Sequence, residues 1–175
     1  MFLDIPYMDN YVDFTVNKTA FPTLAAFSDF LHSRHQRIIP IIDAAISAEN
    51  ISAGTYYDIG NKDDIFIKST LYRNETYNNN LVNQVWPKVS VFVDWFNNKS
   101  TNIWFTGLNE LYKELHYDGI WIDMNEPWGF QTAEIDPANP HWVPVSAENE
   151  ETKRYHHPRC KFIFLRLIIL VLLSA

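Results

Sequence analysis

The chain has 175 residues, of which 47% are hydrophobic and 15% aromatic, so it can bury a core and is not a disordered segment. Its formal net charge of -7, with no basic stripe before the C-terminal region, excludes a nucleic-acid-binding footprint. Cys160 is the one cysteine, which excludes an internal disulfide framework and a cysteine-based metal site. We expect no metal and no cofactor. The aromatic content suits sugar binding, but by itself it is explained equally well by a large core.

Glycosylation sequons favour the secretory route. Four N-x-[ST] motifs begin at Asn17, Asn50, Asn74 and Asn98, and N-glycans are expected at these positions. The opening residues contain no basic segment followed by an apolar core and a small-residue cleavage site, so no signal peptide is predicted in this chain. Either the protein is cytosolic or its true N-terminus is missing. A lysosomal, secreted or endoplasmic-reticulum location of the parent protein is left open.

Three short apolar runs each end on an aspartate. They occupy residues 2–3 before Asp4, residues 38–42 before Asp43, and residues 119–122 before Asp123. Apolar runs without polar alternation are typical of parallel strands that are buried on both faces. Pro40 weakens the second assignment, because proline cannot donate a hydrogen bond to a neighbouring strand. For one aspartate the capping of a turn is the better explanation, but three at successive strand ends favour a site.

Helical patterns separate these runs. Leu24, Phe27 and Leu31 predict one helix face before the second run. Before the third run, the same spacing recurs at Trp104, Leu108, Leu111 and Leu115, with Glu110, Lys113 and Glu114 on the solvent side. This order indicates right-handed βαβ units, which occur in barrels and in doubly wound sheets. Since no glycine-rich phosphate loop follows any run, a nucleotide-binding fold is disfavoured.

The stretch 46–100 is too long for a simple connection. It is rich in Asn, Tyr and Asp, and contains candidate strands at 65–67 and 89–93. We expect an elaborated loop or a small subdomain inserted after the second strand.

The third run carries the most informative motif. Residues 117–127 read Y-D-G-I-W-I-D-M-N-E-P, which resembles the nucleophile signature W-x-D-M-N-E-P of glycoside hydrolase family 31. Residues 4–15 are similar to that family's D-I-x-Y-M-D…D-F-T element, and residues 40–46 to its I-I-D-P-x-I element. Residues 85–94 resemble a degraded W-P-G…F-P-D. The resemblance spans roughly residues 4–130 and implies an α/β fold: a partial (β/α)8 TIM barrel, about strands 2 to 4, with an inserted loop subdomain.

The resemblance also implies roles for individual residues. In a retaining α-glucosidase Asp123 would be the nucleophile, and Glu126 would orient the loop or Asp123, unless it is only an ion-pair partner. Asp4 and Asp43 would bind hydroxyls of an α-glucoside or oligosaccharide, while Trp121 and Met124 form an apolar wall. Trp86 is a weaker candidate. The general acid would lie on a later strand, and a complete barrel takes about 250 residues, so we expect a fragment that is inactive alone.

Some positions depart from the family pattern. Ala44 stands where the family usually has Pro, Lys88 where it has Gly, and Val93 where it has Pro. Trp128 and Gly129 replace the usual Ser-Asn. These departures concern loops, so they put the substrate preference in question.

The last 35 residues do not follow the pattern of the rest. We predict a partial catalytic barrel over 1–140 and an irregular tail over 141–175, which is consistent with a truncated or frame-shifted product. The apolar run 162–173 contains Arg166 and is short for a span of about 20 residues, so membrane insertion is disfavoured. Two alternatives remain open: an inactive carbohydrate-binding remnant and a tail-anchored accessory protein.

Overall fold

The computed structural model describes residues 1–49, 54–131 and 135–140. The predicted tail and Asn50 lie outside these ranges. Within them the chain forms six strands, three α-helices and three short 3-10 helices. In chain order the strands and helices are β1 (Phe2–Leu3), α1 (Leu24–Ser33), β2 (Ile39–Asp43), β3 (Ala45–Ser47), α2 (Tyr56–Asp63), β4 (Val82–Val85), β5 (Lys88–Phe92), α3 (Ser100–Leu115) and β6 (Trp121–Asp123), and the 3-10 helices are Ile5–Tyr7, Asp9–Tyr11 and Glu75–Tyr77.

A three-stranded parallel sheet contains all three predicted apolar runs. Its strand order is β1-β2-β6, and both neighbouring pairs are parallel. The connection from β1 to β2 passes through α1, and α3 leads into β6, as the predicted βαβ pattern requires. In the described ranges this sheet does not close, so the part of a barrel that is present is an open arc.

The register assigns each side chain of this sheet to one of two faces. Ile41 pairs with Trp121 and Asp43 with Asp123, while Leu3 pairs with Pro40. Successive side chains in a strand point to opposite faces, and paired residues point to the same face. Ile41, Asp43, Trp121 and Asp123 therefore share one face. Leu3 and Pro40 lie on the other face.

Pro40 can lie inside the central strand because its nitrogen, which has no hydrogen to donate, points to the side where β6 has not yet begun. Ile39 donates its N–H to the carbonyl of Met1, on the β1 side of the strand. Strand residues alternate, so the nitrogen of Pro40 faces the β6 side. There, β6 begins only at Trp121, opposite Ile41. A proline at this position costs no strand hydrogen bond.

The two predicted helices are present, but one predicted face is partly wrong. In α1 the buried residues are Leu24, Ser28 and Leu31, whereas Phe27 is exposed and stacks on Phe30. The core-facing stripe is shifted because the Ser28 hydroxyl bonds the carbonyl of Leu115 and draws that side of α1 against α3. In α3, Leu111 and Leu115 are fully buried, and the predicted solvent-side residues are exposed.

The long insertion folds as a small antiparallel sheet with the order β3-β5-β4. The predicted strand 89–93 is confirmed as β5 together with a bridge from Val93 to Phe66. The predicted strand 65–67 is not a regular strand: it forms the isolated bridge from Phe66 to Val93, where Ile67 donates to the carbonyl of Phe92 and Asp94 donates to that of Ile65. Strands β4 and β5 make a hairpin whose turn is Trp86-Pro87, followed by Lys88 at a φ of 75°.

The carboxylate of Asp118 fixes the far end of the parallel sheet, away from the strand-end aspartates. Asp118 accepts hydrogen bonds from Arg37 (2.6 Å), His32 (2.9 Å) and the backbone N–H of Ile38 (2.9 Å). Desolvation raises the pKa of Asp118, but the bonds from Ile38, Arg37 and His32 outweigh it and leave that pKa below its usual range. The group ties α1, β2 and the segment before β6 together.

Candidate functional site

Three aspartates meet at the carboxyl ends of the parallel strands. Asp43 and Asp123 are direct register partners at the ends of β2 and β6, and Asp4 follows the last residue of β1. Asp43 and Asp123 share the face that also carries Trp121, and Asp4 directly follows Leu3, where the ladder between β1 and β2 ends. We call Asp4, Asp43 and Asp123 the acidic face. After burial, the charges of Asp123 and Asp4 raise the pKa of Asp43, and the charge of Asp4 also contributes to the raised pKa of Asp123.

Asp43 is the most unusual member of the acidic face. Its residue is 2% exposed, and neither carboxylate oxygen has a hydrogen-bond partner among the described residues. Burial, followed by the charges of Asp123 and Asp4, raises its pKa to about 7. A buried acceptor without a donor is costly, so the arrangement suits a ligand that brings its own donors.

Asp123 lies exposed at the start of a strained turn. Desolvation raises its pKa, the backbone N–H of Met124 lowers it by donating to the carboxylate, and the charges of Glu126 and Asp4 raise it again. Met124 has a φ of 56°, in the left-handed region that residues other than glycine seldom occupy. Such strain is found at functional turns. Here it ends β6 directly after Asp123 and turns the following backbone N–H towards the carboxylate.

The segment after this turn is attached to the inserted sheet. The N–H of Phe130 donates to the carbonyl of Gln84 (2.7 Å), and that of Ile135 donates to the carbonyl of Val82 (3.1 Å). Gly129 lies so near that a Cβ there would be 2.5 Å from the side chain of Asn83. Strand β4 therefore fixes the loop that carries Glu126, and glycine at 129 permits the close approach.

The aromatic residues named from the sequence occupy different surroundings. Trp121 is 37% exposed and meets the ring of Phe2 edge-on at 6.4 Å, on the same face as Asp123. Met124 packs instead against a cluster of the inserted sheet around Val85. Trp86 is half-buried and contacts Phe130 at 5.3 Å, which places it beside the loop that follows Asp123.

Tyr7 and Asp13 were not recognised from the sequence as site residues. Both are buried, at 1% and 4% exposure, and both bond the backbone of β2 near the acidic face. Burial and then the charge of Asp43 raise the pKa of Asp13 well above its usual range, although the N–H of Asp43 lowers it. The available signal was the D-F-T part of the first motif, which contains Asp13.

A cleft of about 690 Å³ lies beside Asp13. Its walls include the rings of Tyr11, Tyr56 and Trp86, and Tyr11 lies 5.9 Å from Trp86. Clefts of about 300–1,000 Å³ are typical of small-molecule sites. Asp13 thus stands between this cleft and Asp43. Among the described residues no cluster of three or more His, Cys, Asp or Glu has the arrangement of a metal site, and no helix there is long and apolar enough to cross a membrane.

Three of the predicted glycosylation positions lie in the described ranges. Asn98 is exposed, whereas Asn17 and Asn74 are half-buried. The side chain of Asn17 accepts from the N–H groups of Thr19 and Ala20, and that of Asn74 accepts from Thr76. Modification at these positions stays a prediction.

Comparison with known proteins gives consistent matches. Residues 1–159 match the description "Glycosyl hydrolases family 31 TIM-barrel domain". Lysosomal alpha-glucosidase of Bos taurus is 38% identical over 149 residues, covering 81% of this chain and 15% of that protein. Glucoamylase 1 of Candida albicans is 37% identical over 137 residues, covering 73% of this chain and 14% of that protein.

Solved structures give the same result. The crystal structure of a glucosidase II alpha subunit, in its alpha3-Glc2-bound form, superposes with a TM-score of 0.61 at 26% identity. The match covers 74% of this chain and 13% of that one. The chain therefore spans about one seventh of the length of the curated relatives named above. The open parallel arc corresponds to part of a barrel rather than to a doubly wound sheet.

Proposed function

The chain belongs to glycoside hydrolase family 31 as a fragment of its catalytic domain, and on this premise we propose that the complete domain hydrolyses α-glucosides with retention, with Asp123 as the nucleophile. The observation that carries the proposal is the acidic face. Asp123 ends β6 in register with the buried, unpartnered Asp43, and Asp4 lies beside them. In TIM barrels the carboxyl ends of the strands carry the catalytic groups.

Retention needs one carboxylate to attack the anomeric carbon and a second group to protonate the leaving oxygen. The Asp123 carboxylate would displace the leaving group and form a covalent glycosyl-enzyme, which water then hydrolyses. The carboxylate of Asp123 is held firmly, because its side chain is short and is attached at a strand end. Attack over a distance of about 3–3.5 Å requires such a fixed position. Because burial and the charges of Glu126 and Asp4 raise the pKa of Asp123, its reactive ionised form is lost as the pH falls through that raised pKa.

Asp4 and Asp43 would hold the sugar before and during attack. Each carboxylate oxygen accepts hydrogen bonds, and sugar hydroxyls would supply the donors that the oxygens of Asp43 lack. Trp121 offers an apolar ring beside Asp123, against which the C–H face of a pyranose would pack. Met124 packs against the inserted sheet and lies outside this wall, and the charge of Glu126 would help to raise the pKa of Asp123.

The general acid would come from a later part of the barrel, so the 175-residue chain alone is proposed to be inactive. The face that later strands would cover is open, since Phe2 is 67% exposed and Trp121 37%. In the part of the chain that the structure describes, β1 and β6 each have one unpaired edge, which favours association. Relatives such as the lysosomal alpha-glucosidase support the secretory route for the parent protein, with an α-glucoside or oligosaccharide as substrate.

The test is Asp123→Asn in the protein that carries the complete catalytic domain. This variant keeps the side-chain volume and removes the nucleophile, so we expect turnover of an aryl α-glucoside to fall by at least about a thousandfold with an unchanged fold. Asp29→Asn is a matched control, because Asp29 is an exposed aspartate on α1 that lies outside the acidic face and does not line the cleft. Near-normal turnover by Asp123→Asn would refute the assignment. Asp4→Asn should mainly weaken substrate binding.

A further inference from the structure

The end of β2 is held by side chains where a strand partner is missing. The last residue of β1 in the ladder is Leu3, opposite Pro40. Beyond that point the β1 side of β2 presents the carbonyl of Ile41 and the N–H of Asp43, because these residues alternate with Ile42. Unpaired backbone groups of this kind are costly when buried.

Tyr7 and Asp13 supply the two missing hydrogen bonds. The hydroxyl of Tyr7 donates to the carbonyl of Ile41 at 2.9 Å, and Oδ1 of Asp13 accepts from the N–H of Asp43 at 3.1 Å. Both side chains come from the segment that follows β1, and both are buried. They therefore replace the continuation of β1 and fix the backbone from which the Asp43 carboxylate projects.

The Asp13 carboxyl occupies an unusual position for a charge. It is 4% exposed and lies beside Asp43, and the hydrogen bond that it accepts comes from a backbone N–H rather than from a cation. Burial and the charge of Asp43 together hold the pKa of Asp13 well above its usual range. A neutral acid still accepts the N–H of Asp43 and adds no repulsion to the acidic face, whereas an ionised one would oppose the charge of Asp43.

We propose that Asp13 is a positioning residue that acts, as an uncharged acid, through the backbone of Asp43 and so places the Asp43 carboxylate on the acidic face. The inference rests on the proposed function, because its consequence for catalysis requires Asp43 to bind the sugar. Tyr7 acts with Asp13 by holding the carbonyl two residues earlier. Neither side chain needs to touch the substrate.

The test compares Asp13→Asn with Asp13→Leu in the protein that carries the complete catalytic domain. Asn conserves the acceptor and the neutral state, so kcat/KM for an aryl α-glucoside should stay within about threefold of the parent. Leu conserves the approximate volume but leaves the N–H of Asp43 without an acceptor. Since a displacement of about 1 Å can cost about a hundredfold in rate, we expect a loss of at least about thirtyfold. Asp29→Leu, at an exposed position on α1 that does not line the cleft, is the control and should change kcat/KM by less than about twofold.

Repeating Asp13→Asn and Asp13→Leu in an Asp43→Asn background separates an effect that acts through the Asp43 carboxylate from a general effect on the structure. If Asp13 acts through Asp43, the thirtyfold loss should shrink to less than about threefold there, because coupled residues are not additive. Equal losses in both backgrounds would overturn the proposal. Loss of activity by Asp13→Asn as severe as by Asp13→Leu would also overturn it, since an ionised Asp13 would then be required.

A third variant covers the case in which Asp13→Leu does not fold. Tyr7→Phe removes only the hydroxyl that donates to Ile41, and we expect a smaller loss that also disappears in the Asp43→Asn background. A loss that persists there would overturn the proposal. Failure of the proposed function is distinguishable, because it would appear as turnover by Asp123→Asn whatever the Asp13 variants do.

Discussion

Replacing Lys88 by glycine should stabilise the fold, although it removes an ion pair. Lys88 begins β5 at a φ of 75°, and a residue with a Cβ pays about 1–2 kcal/mol in the left-handed region. Glycine avoids this strain but loses about 0.5–1 kcal/mol of the gain through the greater entropy of its unfolded chain. The ion pair with Glu49 spans 3.7 Å between half-exposed side chains, so its loss costs at most about 0.5 kcal/mol. The net expectation is a gain of about 0.5 kcal/mol.

The measurement is the thermal midpoint of unfolding of Lys88→Gly beside Lys88→Ala. Alanine removes the same ion pair and keeps the Cβ, so it isolates the backbone effect. We expect Gly to raise the midpoint by about 1–2 °C and Ala to leave it unchanged or lower it slightly. The account would be refuted if the Gly variant were no more stable than the Ala variant. The result would also explain in physical terms why a glycine is typical of this position in the family.

Two further predictions concern the packing that supports the site. Gly107→Ala should lower the stability of the fold by about 1–2 kcal/mol, because the new Cβ would lie 2.5 Å from the ring of Phe14. This loss is net of the roughly 1 kcal/mol by which alanine is favoured over glycine in a helix. A raised thermal midpoint of unfolding would contradict the prediction. Asp118→Asn should lower stability at neutral pH by about 1–2 kcal/mol through weaker bonds to Arg37 and Ile38. Folding lowers the pKa of Asp118, so the stability that its carboxylate contributes is fully present above the unfolded-state pKa and is lost as the pH falls through the folded-state pKa. The difference in the thermal midpoint of unfolding between the parent and Asp118→Asn should therefore narrow below about pH 4. A difference that stays constant from neutral to acid pH would argue against the ion-pair account.

The parallel sheet could be predicted because its pattern is local. Each of its strands is a short apolar run that ends on an aspartate, and the helices between them repeat their apolar residues at helical spacing. The register that brings Asp43 opposite Asp123 follows from this order once the strands are parallel. Phe27 was misassigned because spacing alone does not show that Ser28, a small polar residue, would face α3.

The inserted sheet was harder to predict because its buried strands carry polar side chains. Asn83 and Gln84 lie in β4 and Ser90 in β5, and all three are buried. A period-two apolar pattern is therefore broken at the positions where the hairpin pairs. The turn itself contains no Asn-Gly or Asp-Gly signal, and Lys88 takes the left-handed position that such signals mark.

The supporting residues of the site could not be identified from the sequence for a related reason. Nothing in the order of residues shows that β1 stops at Leu3, or that Tyr7 and Asp13 then complete the edge of β2. This is a tertiary relation between a loop and a strand more than 25 residues away. The strand-end aspartates were visible in the sequence, whereas the groups that hold them in place were not.

The identity of the nucleophile is tested most directly by trapping the covalent intermediate. The protein with its complete catalytic domain would be treated with 5-fluoro-α-glucosyl fluoride, whose glycosyl-enzyme breaks down slowly, and the labelled peptide would be identified by mass spectrometry. The account predicts a single fluoroglucosyl ester on Asp123 and none in Asp123→Asn. A label on Asp4 or Asp43, or an inactivated enzyme with no label on this segment, would contradict it.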